Sequence, residues 1–240
     1  MLVSSLNVYE FSLLSDVRHA YAVDALLQQV FRNLYFIRSE PFAVISAEDA
    51  GPTSNGGTPP HADLKFFRQT MILAAQQTGA LELTAIFSRN SSTLRETMDG
   101  FRSSLREAFR QLKERVDSEP EIRKNANQAL QKIGNRKTAT AALLVTLVKP
   151  LHDDRLPSEN DTVDLLHAVV PGAYADYLVL DGKWASAVTQ AARKIRAAGY
   201  QAPIAKVFST KKNGVLEFIE ALETHWAKDS PSTTPLDRDP

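Results

Sequence analysis

Apolar positions along the 240-residue chain recur with two different periods, and the switches between them predict where helices give way to short strands. Between Asp16 and Leu34, Val17, Ala20, Tyr21, Val23, Leu26, Leu27, Val30 and Phe31 fall three and four apart, which predicts an amphipathic helix capped by Asp16. Leu64 to Ala75, Thr93 to Val116 and Glu121 to Ile133 repeat that spacing, so nearly all of Leu64 to Lys137 is expected to be helical. Asp161 to Val170 carries Asp164, Leu165, Ala168 and Val169 on helical spacing, with Asp161 as its cap and Pro171-Gly172 as its end. Tyr177 to Leu180 is a continuous β-prone apolar run of the kind buried in a parallel sheet, closed by Asp181-Gly182. A helix from Trp184 to Ala198 with Gly199 as its C-cap, a strand from Ile204 to Phe208 and a helix from Val215 to Trp226 follow.

This alternation predicts a parallel α/β architecture for the C-terminal third. Elsewhere the pattern is less decisive. The first residues suit a helix from Ser5 to Leu14 with no strand before it, and Tyr35 to Ile37 is too short to assign. Thr138 to Val148 fits either a helix or a buried strand, ended by Lys149-Pro150, with a polar loop from Leu151 to Asn160. Gly51 to His61 is a Gly/Pro/Ser/Thr loop that lacks the Lys-Ser/Thr ending of a phosphate-binding loop, and His61 is expected to be exposed.

Composition changes the picture mainly by exclusion. Lys plus Arg and Asp plus Glu both number 28, so bulk charge does not point to nucleic acid or membrane. Local clustering does: ten Lys or Arg residues against five acids lie between Gly100 and Lys137, a surplus that suits either a phosphodiester backbone or a solvated helical face with Glu/Arg pairing. With no cysteine there is no disulfide framework, and with no long apolar run or leader pattern the cytoplasm is the expected compartment.

The acids carry the candidate chemistry. Carboxyl ends of parallel strands line the ligand crevice of open α/β sheets, which marks Asp181, and Asp164 early in the preceding helix can point toward the same edge. The order Asp164-Leu-Leu-His-Ala168, then Tyr177-Leu-Val-Leu-Asp181, together with Ser5-Leu-Asn-Val-Tyr-Glu10, resembles the PIN-like nuclease domain, although Val179 stands where that family often has Thr or Ser. The resemblance implies one PIN-like three-layer α/β/α domain over residues 1–228, with a central parallel sheet, a helical insertion at 60–137 and a disordered tail at 229–240. It further implies a Mg²⁺- or Mn²⁺-dependent endoribonuclease acting on RNA, with Glu10, Asp164 and Asp181 as catalytic and metal-binding acids and Asp161 as a further ligand. A first strand with its own acid, and one helix, are implied upstream of Ser4, and without that acid the site would be one ligand short. A toxin-type member would be partnered by a small protein inhibitor.

Each acid has a plainer reading. Asp161 suits a helix cap, Asp181 a turn, Glu10 a solvated face, and Glu48 a charge at a helix start. His167 is within reach of Asp164 on one helical side but also suits a hydrogen-bonded core position, and Trp184 suits a core anchor. The rival functions are a non-catalytic RNA-binding or protein-interaction module on the same fold, and a small-molecule-binding α/β protein.

Overall fold

Two pairs of short parallel strands share one helical backing. The computed structural model describes residues 1–12, 17–51, 56–76, 138–154, 158–201 and 203–229, with scattered positions between 84 and 128. In chain order these are β1 (Leu2–Ser4), α1 (Ser5–Ser12), α2 (Val17–Gln29), β2 (Tyr35–Ile37), α3 (Pro41–Ala50), α4 (Leu64–Ala75), α5 (Ala139–Asp154), α6 (Glu159–Tyr174), β3 (Tyr177–Leu180), α7 (Gly182–Ala197), β4 (Lys206–Ser209) and α8 (Gly214–Asp229). β1 pairs with β2 and β3 with β4, both in parallel, giving a helix-rich α/β fold with two separate two-stranded sheets.

The main core lies between α5, α6 and α7, where Leu143, Leu147, Leu165, Val169, Val188 and Ile195 are buried together and Leu180 and Val207 of the second sheet pack on them. Lining several buried positions along each of three helices makes this apolar contact the main source of stability. A second cluster joins Val3, Val8, Leu27 and Phe36 to Phe66 of α4, whose ring meets Phe36 edge-on at 5.3 Å. Thus α4, at the start of the stretch expected to be an insertion, is built into the packing of the first sheet.

Helix α6 ties the halves together. Its C-terminal Val170 and Tyr174 pack with Leu2 and Ile37 of the first sheet, and its N-terminal Val163 and Leu166 pack with Leu6 of α1. β1 and α1 therefore run opposite to α6. β3 begins just beyond the end of α6.

Several boundaries depart from the periodicity. The chain opens on a strand, because Leu2–Ser4 finds a partner in the brief Tyr35–Ile37 run. The ambiguous apolar run before Lys149 is helical, and α5 continues past Pro150 to Asp154 instead of ending there. α6 likewise passes through Pro171 to Tyr174. An interior proline removes one hydrogen bond and crowds the preceding turn, at a cost of about 3 kcal/mol, which the burial of Val169 and Gly172 against α5 and α7, and of Val170 against Ile37 and Val44, offsets. Asp161 is not the cap of α6. Ser158 is, its hydroxyl accepting from the Asp161 N–H while the Asp161 carboxylate accepts from the Ser158 N–H, a reciprocal capping box. Gly199 does end α7 as expected, at φ +86°, with Tyr200 N–H donating to Ile195 C=O.

Most of Thr93 to Val116 and of Glu121 to Ile133, the cap Asp16 and the tail 230–240 lie outside the described residues. Of the ten basic residues between Gly100 and Lys137, Arg102, Arg106 and Arg110 are described, and Arg110 is held by Glu107 at 2.6 Å and by Glu114, the helical-face pairing. Among the described residues no helix is long and apolar enough to cross a membrane.

Candidate functional site

Local rules place the acids one by one. Asp181 is the N-cap of α7, its carboxylate accepting the Trp184 backbone N–H at 2.8 Å, so the strand-to-helix turn fixes its direction. Asp164 lies one turn into α6, on the helix that backs both sheets. Glu10 projects from the last turn of α1. All three line one cavity of about 970 Å³, which is bounded by β1 and β2 on one side and by β3 on the other. That volume is at the upper end of the range for small-ligand pockets, about 300–1,000 Å³.

A chain of polar contacts orients this end of the cavity. The Ser4 hydroxyl and N–H donate to Asn7 Oδ1 at 2.9 and 3.0 Å, which turns the Asn7 amide nitrogen toward His167 Nδ1, 3.2 Å away. His167 Nε2 is 2.7 Å from Glu10 Oε2. With Asn7 donating, Nδ1 is the acceptor and Nε2 carries the proton given to Glu10, so the network suits the neutral imidazole with hydrogen on Nε2. The sequence placed His167 within reach of Asp164; it held no sign of Asn7, whose partner is 160 residues distant.

Burial pushes the Asp164 carboxyl up from its ordinary range, and the neighbouring charges of Asp181 and Glu10 push it further. The indole N–H of Trp184 is near enough to favour the Asp164 charge but makes no hydrogen bond of ordinary geometry. Asp164 therefore meets the like charges of both other carboxyls across a shared space. Oxygen donors of this kind are what hard divalent cations take, and a cation would relieve that repulsion, so the donor chemistry fits Mg²⁺ or Mn²⁺. Among the described residues no three His, Cys, Asp or Glu side chains lie close enough together to hold a metal ion.

Asp161 stands apart from these three. Burial raises its carboxyl, but the Lys183 ammonium and the Ser158 contacts outweigh that and hold it below the ordinary range. One oxygen accepts from Ser158 and the other pairs with Lys183, so both are committed to the helix start.

The chain matches no family model, no curated protein and no solved structure.

A second polar cluster lies behind the cavity, where the sequence suggested only loop and solvated charge. Glu48 is near the C-terminal end of α3, and its Oε1 accepts from Thr140 at 2.7 Å and from Tyr174 at 2.5 Å, joining α3, α5 and α6. The His61 ring stacks on Tyr174 with centroids 4.0 Å apart and is half-buried rather than exposed. Burial lowers the His61 pKa from its ordinary 6.5, with Glu48 partly opposing the shift. The unfolded chain then binds the proton more readily than the fold, so the stability contributed is complete above pH 6.5 and is lost as the pH falls toward the lower folded value. His61→Phe keeps the stacked ring without the titration. Its unfolding free energy from urea titration should fall less than the parent's between about pH 7.5 and about pH 5.5, by a difference within about 1 kcal/mol for a half-buried group. Equal falls in the two proteins would remove His61 from the pH response.

Proposed function

We propose that the cavity is the hydrolytic centre of a Mg²⁺- or Mn²⁺-dependent endoribonuclease on a PIN-like fold. The observation that carries this reading is the convergence of Glu10, Asp164 and Asp181, from three separate elements, on one cavity beside the carboxyl end of β3. RNA as the substrate comes from the resemblance alone. Glu10, Asp164 and Asp181 would hold the ion. When bound, it supplies a hydroxide at neutral pH and positive charge against the charge developing on the phosphoryl oxygens. The chain's own part is orientation. His167 holds the Glu10 carboxylate through Nε2, and the Trp184 N–H holds that of Asp181. Asp164, half-buried between two like charges, is the acid with the most to gain from a cation.

This predicts a paired signature for Asp164→Asn. The parent fold binds the Asp164 proton more tightly than the unfolded chain, so its stability falls as pH rises through the unfolded and then the folded value. Removing the charge should raise stability at pH 7 by up to about 1 kcal/mol after solvent screening, or about 2–4 °C in Tm. Cleavage of a fluorogenic single-stranded RNA with added Mn²⁺ should fall by more than the ~10–100-fold typical of losing a residue that merely supports a metal ligand. Unchanged cleavage in a variant that still binds Mn²⁺ like the parent would remove the acid from the mechanism.

A second reading is a non-catalytic RNA-binding or protein-interaction module on the same fold. RNA retention that responds to salt but not to Mn²⁺, without cleavage in the parent, selects it.

A further inference from the structure

The outer flank of β2 is closed by the 61–63 segment, with Asp63 N–H donating to Phe36 C=O and Arg38 N–H to His61 C=O. The second sheet differs. Val207 to Ser209 of β4, the outward side of α7 and the turn before α8 line an open cleft of about 560 Å³. Its charge is set by the sequence: from Gly182 to Gly214 there are seven Lys or Arg and no Asp or Glu, in a chain whose formal charge is zero.

The fold arranges part of that charge around the cleft. Burial of Trp184, Val188 and Ile195 leaves Ser186, Gln190 and Arg193 together on the exposed side of α7. Across from them the turn is fixed by its own hydrogen bonds, Thr210 N–H donating to Leu180 C=O, Lys211 N–H to Ser209 Oγ at 3.0 Å and Gly214 N–H to Lys211 C=O. The Lys211 stem lies over Gly182, where an added Cβ would meet its Cδ at 3.0 Å, which keeps this cation beside the start of α7. Arg193, Lys211 and Lys212 are exposed in the lining, and none of them pairs with a carboxylate among the described residues. Lys183, by contrast, is held by Asp161. Glu217 is the single acid among the described residues of the lining.

We infer that this cleft binds the phosphodiester backbone of single-stranded RNA without reading its bases. Three unpaired cations meet the phosphate charge, and Ser186, Gln190 and Asn213 stand among them as donors to phosphate oxygens. The exposed side chains of the lining include no aromatic ring on which bases could stack, and no apolar anchor for a protein partner. The apolar side of α7 is buried in the core, which leaves none to enter a membrane surface. The cleft adjoins the acidic cavity at the ends of the second sheet: Asp181 and Thr210 line the cavity, Gly182 and Lys211 the cleft. In choosing RNA the inference rests on the proposed function; binding itself needs neither cleavage nor an ion.

Fluorescein-labelled oligo(U) is titrated with the full chain in EDTA, so that failure of hydrolysis leaves the result unaffected. Anisotropy should show saturable binding that weakens about twentyfold from about 50 to about 200 mM salt, as three phosphate contacts on a single strand require. Oligo(A) should bind within about threefold of oligo(U). A variant carrying Arg193→Gln, Lys211→Gln and Lys212→Gln, its fold checked by circular dichroism, should lose at least about tenfold at the lower salt and most of the salt dependence. Arg32→Gln, Lys65→Gln and Arg68→Gln together remove the same charge from exposed sites elsewhere and should change binding less than about threefold. Glu217→Gln should strengthen binding severalfold. No binding, parental affinity in the folded cleft variant, an equal loss in the control, or weaker binding by Glu217→Gln overturns the proposal. So does displacement by inorganic phosphate beyond its ionic strength, or by polyglutamate as effectively as by unlabelled RNA, since the cleft would then take a free anion or an acidic protein. Cleavage by the parent with unchanged binding in the cleft variant leaves hydrolysis standing and removes the cleft; binding that the variant loses, without cleavage under Mn²⁺, does the reverse.

Discussion

Gly214→Ala should lower stability by about 3–4 kcal/mol, the largest effect expected of any single methyl group added to this chain. A Cβ at this position would meet the Ser209 carbonyl oxygen at 2.1 Å and the Ser209 nitrogen at 2.8 Å. Both are backbone atoms, so no rotamer change relieves the clash. Gly214 opens α8 while Ser209 ends β4, and the two elements would have to separate. That in turn would disturb the packing of Phe218 on Phe208, now edge-to-face at 5.6 Å. Urea unfolding followed by circular dichroism measures the loss. Glu220→Ala, at an exposed site inside the same helix, is the control and should stay within about 0.5 kcal/mol. A Gly214→Ala midpoint equal to that of the control would show that the turn gives way freely.

Leu143→Ala is the second large effect, a loss of about 3–4 kcal/mol. Leu143 is fully buried in the α5–α6–α7 core, and its Cδ1 lies 3.2 Å from where a Cβ on Gly172 would be. Three helices close on this side chain, and the stretch of α6 beyond Pro171 presses directly against it. The cavity left by truncation would therefore be walled by elements that cannot all move inward together, which sets the cost toward the upper part of the usual range. Leu143→Met, similar in volume, should cost less than about 1.5 kcal/mol. If both substitutions cost the same, the packing around Leu143 is loose enough to collapse on the truncated side chain.

The elements with long, unmixed periods were legible in the chain. The helix ended by Gly199, the strand at Tyr177–Leu180 and the final strand and helix all follow from spacing and caps. What escaped depends on distant residues. Leu2–Ser4 and Tyr35–Ile37 have three residues each, too few for any period, and exist as strands because they pair with one another. Pro150 and Pro171 look like stops because local rules price a lost hydrogen bond but not the tertiary burial that outweighs it. Ser158 and Asp161 carry a capping box in their spacing, and the position of Ser158 beside a proline and a charged run concealed it.

The site divides in the same way. Asp164 and Asp181 were visible because a strand's end and the helix before it meet at one edge. Glu10 was located through the resemblance and does line their cavity. The Ser4–Asn7–His167–Glu10 relay was not visible, since it forms only when α1 is laid against α6. Glu48 looks solvated in the sequence for the same reason: Thr140 and Tyr174, which hold it, are 92 and 126 residues away.

The short bridge between Ile37 and Ala62 bears on how the molecules behave in concentrated solution. A bare outer strand is a template on which neighbouring copies can stack edge to edge and grow toward a cross-β fibre. By capping β2 on its outward flank, the 61–63 segment denies that template to other copies. Fibrous growth from that flank would first require this segment to peel away.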